Sequence, residues 1–184
     1  MKTMKARISK EESGQALVEL AFAFVLLCTF VFGIIDFGRA IYDVEVMRNL
    51  VGEGSSMASR GTSLTTTTTT VANDAGADLN INTYGCVIVT VVTNQGGGAL
   101  DVTAQAQQGG LACNSKVGCL QGQAGCGNSK ATLPPPAVTA LQSEATGSSL
   151  YVTEIFYTYN TMTPIAGFLG KNVVPSQLYS AAYY

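Results

Sequence analysis

Histidine is absent from the 184 residues, and only 12% of the side chains are charged. The missing histidine removes the usual general base and the commonest metal ligand. Serine and cysteine nucleophiles need a nearby base, and a serine–lysine pair is an arrangement that the composition still allows. A formal net charge of -2 provides no basic field for holding nucleic acid. The composition therefore predicts a protein that is not an enzyme, uses no metal or cofactor and does not bind nucleic acid.

Proline is absent between Gln15 and Arg60, which predicts one long helix over this stretch. Its first part, residues 15–35, is an apolar run whose only acidic or basic side chain is Glu19. About 20 helical residues span the hydrocarbon core of a bilayer. The apolar region of a cleaved secretory signal is shorter, roughly 7–15 residues. The run therefore predicts a transmembrane helix at 15–35, with a fully buried core helix as the alternative.

Charge predicts the orientation of this helix. Four cationic side chains precede the run, namely Lys2, Lys5, Arg7 and Lys10, against Glu11 and Glu12. Lysine and arginine are retained on the cytoplasmic side of a membrane. We therefore expect residues 1–14 to form a short basic leader in the cytoplasm, and residues beyond about 36 to be exported across the membrane.

Beyond the run, residues 36–62 have the pattern of an amphipathic helical stem. Its predicted apolar face recurs near helical spacing and comprises Ile34, Phe37, Ile41, Val44 and Met47/Met57. In residues 63–184, Cys86–Val92 and Leu150–Tyr159 are β-branched and aromatic runs that predict strands. Because the apolar face of the stem needs a cover, we expect a small antiparallel sheet packed on it. The predicted fold class is α+β, with one long N-terminal helix packed on the small sheet.

The exported region also contains segments whose composition is less decisive. A Gly- and Cys-rich insert at about 95–137 is predicted to be a long irregular loop. The tract Thr65–Thr70 is compatible with an exposed linker, an edge strand or a glycan-bearing stretch. Oxygen-bearing side chains alternate nearby, at Asp74, Asp78, Asn80 and Asn82. They favour a polar turn or helix end over a calcium site, because the glycine and terminal glutamate of an EF-hand are missing.

Cysteine usage agrees with export. Cys28 lies in the apolar run, which leaves Cys86, Cys113, Cys119 and Cys126 outside the membrane. Four cysteines in an oxidising compartment predict two disulfides, with three possible connectivities, and free thiols are the alternative. Zinc is disfavoured because the spacing lacks short paired motifs and histidine is missing.

The junction between leader and run carries the most specific signal, Ser13-Gly14-Gln15-Ala16-Leu17-Val18-Glu19. Glycine lets a backbone approach a protease cleft closely, which predicts cleavage after Gly14. An acid inside a membrane helix is costly unless it is partnered, and is a functional hypothesis by default. Cleavage would make Gln15 the new terminus, and its amine could pair with Glu19 and set the axial register of packed helices. The alternative is a Glu19 that is simply solvated by lipid headgroups.

These residues resemble the class-III signal of type IV prepilins. The stretch GQALVELAFAF…FGIIDFGRAIYDVEVMRNLVGEG (residues 14–54) is similar to TadE-like proteins of tight-adherence (Flp) pilus systems, and YVTEIFYTYNTMTPIAGFLG (151–170) is similar to their aromatic strand and the proline-containing segment after it. This sequence departs from the family pattern at Val25, where proline is usual, and at 52–56, where an Arg-Glu-Gly-Ala-Arg-like segment is usual.

The resemblance implies a minor pilin or pseudopilin that takes part in pilus assembly. It also implies three partners: a prepilin peptidase, other pilins or pseudopilins packed helix to helix, and the inner membrane, with the extracellular pilus as a further location. A pseudopilin of a type II secretion machine and an uncleaved, membrane-anchored adhesion module are the alternatives.

Overall fold

A computed structural model describes the backbone of residues 2–76, 79–123, 126–163 and 176–184, with side chains from Gly14 onward. Candidate calcium ligand Asp78 lies outside these residues. The elements in chain order are α1 (Lys2–Ser59), α2 (Leu64–Asp74), α3 (Ile81–Tyr84), β1 (Gly85–Gly96), β2 (Ala99–Gly109), α4 (Pro135–Ser143), β3 (Ser149–Thr158) and β4 (Gln177–Tyr183). A long helix packs on a four-stranded antiparallel sheet, so the predicted α+β class is confirmed.

The chain divides into two compact units. One comprises Met1–Arg39 with Thr161–Val174, and the other comprises Ala40–Asn160 with Pro175–Tyr184. The first unit contains the whole apolar run, and the second contains the sheet and the end of α1 that packs on it.

Helix α1 begins before the predicted start at Gln15 and runs through the junction without a break. Its portion Gly14–Ser59 is long and apolar enough to cross a membrane, with a mean hydropathy of 2.5 over the best window, none of which is buried. The absence of proline and the abundance of Leu, Ala, Val and Phe account for this continuity, since straight-chain and small residues lose little freedom in a helix.

The sheet has the strand order β2-β1-β3-β4. Both predicted strands are present. β3 is shifted by one residue from the predicted Leu150–Tyr159, and β1 extends beyond Cys86–Val92 at both ends because it also pairs with β2. Strands β2 and β4 were not predicted. The turn between β1 and β2 consists of Gly96, Gly97 and Gly98, whose φ angles of 85°, 61° and 84° lie in the left-handed region that favours glycine. This glycine run therefore closes a hairpin.

Side chains alternate between the two faces of the sheet. One face includes Val89, Thr153 and Ile155 and is covered by the end of α1 and by α2. The opposite face carries two apolar clusters, built around Val92, Val102, Val117, Leu141 and Val152, and around Cys86, Ile88 and Phe156. Residues from the 111–141 region complete both clusters. The prediction of an irregular, disulfide-pinned insert at 95–137 is therefore wrong for β2 and for the start of α4. The described residues between these two elements are irregular, carry cysteines of both disulfides and cover one sheet face.

The predicted apolar face of the stem is also wrong in its first half. Ile34, Phe37 and Ile41 are 72%, 62% and 57% exposed, whereas Met47 is fully buried. The buried positions are spaced by three and four residues and comprise Asp36, Ala40, Asp43, Met47, Leu50, Val51, Ser55 and Ala58. Small and acidic side chains therefore form part of the buried face, and large apolar ones lie outside it.

The threonine tract is helical, which none of the three predicted alternatives anticipated. Ser63 caps α2 by accepting a hydrogen bond from the backbone N–H of Thr66, at 3.2 Å. The hydroxyls of Thr67 and Thr69 donate to carbonyl oxygens four residues earlier, at 3.0 and 2.9 Å. Threonine tolerates a helix when its hydroxyl finds such a partner. Thr67 and Thr68 are buried, so the tract also contributes to packing.

Candidate functional site

The predicted processing site lies on an exposed part of α1. A Cβ built at Gly14 meets no atom within 4 Å apart from its own helix backbone, so the space beside this residue is open. Gln15 and Glu19 are exposed and lie four residues apart on the same helix. Residues at this spacing share one face, about 5–6 Å apart between Cβ atoms. The predicted cleavage after Gly14 would therefore leave the Gln15 amine within one helical turn of the Glu19 carboxylate.

The apolar run that follows is exposed along its length. Leu20, Phe22, Phe24 and Phe30 are each more than 60% exposed. Its polar groups are few, and Thr29 bonds internally to the carbonyl oxygen of Val25 at 2.9 Å. Cys28 is a free thiol in this helix, as predicted. An uncovered helix of this composition fits a membrane anchor.

A buried carboxylate that was not predicted from the sequence lies on the sheet face opposite to the one that α1 and α2 cover. Glu154 on β3 is fully buried. Its carboxylate accepts hydrogen bonds from the hydroxyl of Ser115, from the backbone N–H of Lys116 at 2.9 Å and from the hydroxyl of Tyr179 at 2.9 Å. A carboxylate with several donors is stable when buried. Glu154 therefore ties the 111–120 segment and β4 to the middle of the sheet.

The surroundings of this carboxylate are partly cationic and partly aromatic. The Lys116 ammonium lies 3.5 Å from the centre of the Tyr179 ring, which is a cation–π contact. Burial, and then the Glu154 charge, raise the pKa of Tyr179 well above its ordinary value, and the same two causes raise the pKa of Tyr183. The Tyr179 hydroxyl therefore stays protonated at physiological pH and remains a donor.

The four cysteines outside the apolar run form two disulfides, Cys86–Cys113 and Cys119–Cys126. This result confirms two disulfides and selects one of the three connectivities. The first links the start of β1 to the segment that presents Ser115 and Lys116, and the second closes a short loop next to it. Each cross-link contributes about 2–4 kcal/mol by restricting the unfolded chain.

The described side chains show how the missed residues could have been found. Glu154 lies between Val152 and Phe156 on one face of a predicted strand. Because side chains of a strand point to alternate faces, an acid between two buried apolar positions is expected to be buried as well.

Among the side chains described from Gly14 onward, no group of three His, Cys, Asp or Glu could hold a metal ion. Asp74 ends α2, as a polar helix end would.

Comparison with known proteins bears on the N-terminal helix. No curated protein and no solved structure matches the chain. Residues 14–56 match the family model described as TadE-like protein, which covers the junction, the apolar run and the stem as far as Ser56. The resemblance predicted from Gly14, Glu19 and the helix is therefore confirmed over this segment, and the chain is similar there to TadE-like proteins.

Proposed function

We propose that this chain is a TadE-like minor pilin or pseudopilin that a prepilin peptidase cleaves after Gly14 and that assembles into a Flp or type IV-like pilus by helix packing. The observation that carries the proposal is the match over residues 14–56, which contains an exposed glycine junction, an acid five residues later and an uncovered apolar helix. The basic leader supports a cytoplasmic N-terminus. Two disulfides support an oxidising compartment for the sheet domain.

In this mechanism each part of the chain has one task. The leader holds the N-terminus in the cytoplasm until the peptidase removes it, and the apolar helix then remains in the membrane with a free amine at Gln15. Glu19 pairs with this amine or with that of a neighbouring subunit, and the low dielectric strengthens the attraction. The sheet domain, packed on the end of α1, holds the exported stem in a fixed shape while the uncovered part of the helix docks.

Replacing Gly14 by leucine should abolish processing in a host with an active prepilin peptidase. A branched side chain would block close approach of the backbone to the peptidase, whereas the helix itself would gain about 0.8 kcal/mol of propensity. Wild-type protein from membranes should begin at Gln15, and the variant should retain residues 1–14, as read by intact mass and N-terminal sequencing.

Gly38 offers a matched control for this experiment. It lies on the same helix, is exposed and has no atom within 4 Å of a built side chain, so Gly38→Leu adds the same bulk away from the junction. This variant should be processed normally. A wild-type protein that keeps its leader in such a host would contradict the proposal and favour an uncleaved adhesion module.

Replacing Glu19 by leucine should impair assembly and leave membrane insertion intact. The change makes the run more apolar, because an acid in the middle of a membrane helix costs about 3 kcal/mol on an insertion scale. The partner of the Gln15 amine is lost, so the variant should fail to co-purify with other pilus subunits.

Thr29→Leu is the control for polarity in the same helix, since the Thr29 hydroxyl already bonds within its own turn. Thr29→Leu should insert and assemble like the wild type. Co-purification of the Glu19 variant at wild-type levels would show that Glu19 does not set the register.

A further inference from the structure

Asp36 is a buried acid on an otherwise exposed stretch of helix. Its side chain is 1% exposed, whereas Ile34, Ile35 and Phe37 are 72%, 50% and 62% exposed. Asp36 directly follows the apolar run, at the predicted exported end of the membrane helix. A feature other than the helix itself therefore removes this carboxylate from solvent.

The cover comes from the connection between β3 and β4. The backbone N–H of Met162 donates to Oδ1 of Asp36 at 3.1 Å, and the hydroxyl of Thr163 donates to Oδ2. Both donors belong to the same compact unit as Asp36. Hydrogen bonds to an ionised acceptor are about twice as strong as neutral ones. The carboxylate therefore holds residues 161–163 against α1 at the end of the apolar run.

The two hydrogen bonds to Asp36 allow the end of the apolar run to contact hydrocarbon. An acid near hydrocarbon is costly mainly because its charge loses the hydrogen bonds of water. Asp36 receives two hydrogen bonds from the protein instead, so it does not require water on that side. Met162, which donates one of them, leaves its own side chain 72% exposed. The result is a set of uncovered apolar side chains, Ile34, Ile35, Phe37 and Met162, around one internally satisfied acid.

We propose that residues 161–163 form a second contact with the bilayer, with the Met162 side chain in the boundary layer between phospholipid headgroups and acyl chains. The inference rests on the proposed membrane anchor at 15–35 and adds to it a contact made by the β3–β4 connection. The phospholipid surface is the occupant because the exposed apolar set is continuous with the run that spans the bilayer. Asp36 is the positioning residue, since its hydrogen bonds fix where Met162 lies along the axis of α1.

The sequence contains no tryptophan, so one introduced tryptophan reports its own position by fluorescence. Three full-length single-tryptophan variants are reconstituted in phosphatidylcholine vesicles with and without bromine on the acyl chains. The bromine lies near the headgroup for Met162→Trp and Tyr84→Trp, and near the bilayer centre for Phe24→Trp, because quenching acts only at short range. Met162→Trp tests the contact, and Phe24→Trp reports the anchor. Tyr84→Trp is the control for the affinity of tryptophan for membrane interfaces, because Tyr84 is 44% exposed in the sheet-containing unit.

The brominated lipid should quench most of the emission of Met162→Trp and leave that of Tyr84→Trp unchanged. Quenching of Phe24→Trp alone would overturn the inference and leave the anchor standing, whereas an unquenched Phe24→Trp would remove the anchor itself. Quenching of Tyr84→Trp as well would mean that the exported domain lies on the membrane without selecting Met162, which also overturns the inference.

Asp36→Ala in the Met162→Trp background tests the positioning role. Without the carboxylate, the 161–163 segment loses its attachment to α1, and quenching should fall toward the Tyr84→Trp level. Unchanged quenching would show that tryptophan finds the interface by itself and that Asp36 does not place it. Circular dichroism of the same samples verifies that the helix and sheet persist.

Discussion

Replacing Glu154 by leucine should lower the free energy of unfolding of the sheet domain by about 3–5 kcal/mol. Each donor left without a buried partner costs about 1–3 kcal/mol, and three donors converge on this carboxylate. The Lys116 backbone N–H contributes most, because it cannot rotate toward water as the hydroxyls of Ser115 and Tyr179 can. A loss of this size is a large part of the 5–15 kcal/mol that is typical of native proteins.

Thermal unfolding of the full chain in detergent, followed by circular dichroism, measures this effect. A loss of 3–5 kcal/mol should lower the Tm by roughly 10 °C, since 1 kcal/mol corresponds to about 2–4 °C for a chain of this size. Glu154→Gln keeps an acceptor and should be milder. Glu144→Leu is the matched control, because Glu144 is exposed and such substitutions stay within about 0.5 kcal/mol. Equal Tm values for Glu154→Leu and Glu144→Leu would show that the buried carboxylate does not hold the 111–120 segment and β4 on the sheet.

The strands that could be predicted are those whose own residues prefer extended backbone. Cys86–Val92 and Leu150–Tyr159 are rich in β-branched and aromatic side chains, and both occupy the centre of the sheet. The unpredicted strands β2 and β4 are its two edges. β2 contains several Gln and Ala residues, and such a sequence adopts a strand because an adjacent strand pairs with it, an effect of tertiary context rather than of propensity.

The protein-facing side of α1 was mispredicted because large apolar residues also lie on the exposed side of this helix. A pattern search assigns large apolar residues to the core, yet Ile34, Phe37 and Ile41 are exposed. The side that packs against the protein uses residues such as Ala40 and Ser55, which are small enough for close approach. Ser55 accepts from the Thr153 backbone N–H at 3.2 Å and lies 3.0 Å from the Ala182 carbonyl oxygen. In a helix of this kind, hydrophobicity alone does not identify the protein-facing side.

The candidate processing site stays a prediction, and it rests on local sequence alone. Gly14, Gln15 and Glu19 are local in sequence, and their relation depends only on the helix that joins them. Glu154 and Asp36 depend on partners 25 to 127 residues away, at Tyr179, Ser115 and Thr163. Long-range hydrogen bonds of this kind leave only an indirect sign in the sequence, namely an acid in register with buried neighbours.

The packing of α1 on the sheet predicts opposite outcomes for two neighbouring glycines. A side chain built at Gly54 would lie 2.9 Å from Cγ2 of Val71 and 3.0 Å from the Thr153 side chain, whereas one built at Gly52 meets nothing within 4 Å. Gly54→Leu should therefore force α1 away from β3 and lower the free energy of unfolding by about 1–3 kcal/mol.

Gly52→Leu should instead stabilise the helix by about 0.8 kcal/mol, since it adds propensity without a clash. Thermal unfolding of the two full-length variants gives the difference, and limited proteolysis in membranes locates it. Only Gly54→Leu should expose the sheet domain to cleavage, because separation of α1 from the sheet uncovers Met47 and Val51. Both variants should remain in the membrane fraction. If the two variants had the same Tm and the same cleavage pattern, the close approach of α1 to β3 at Gly54 would be wrong. The sheet would then have to be held on the stem by other contacts.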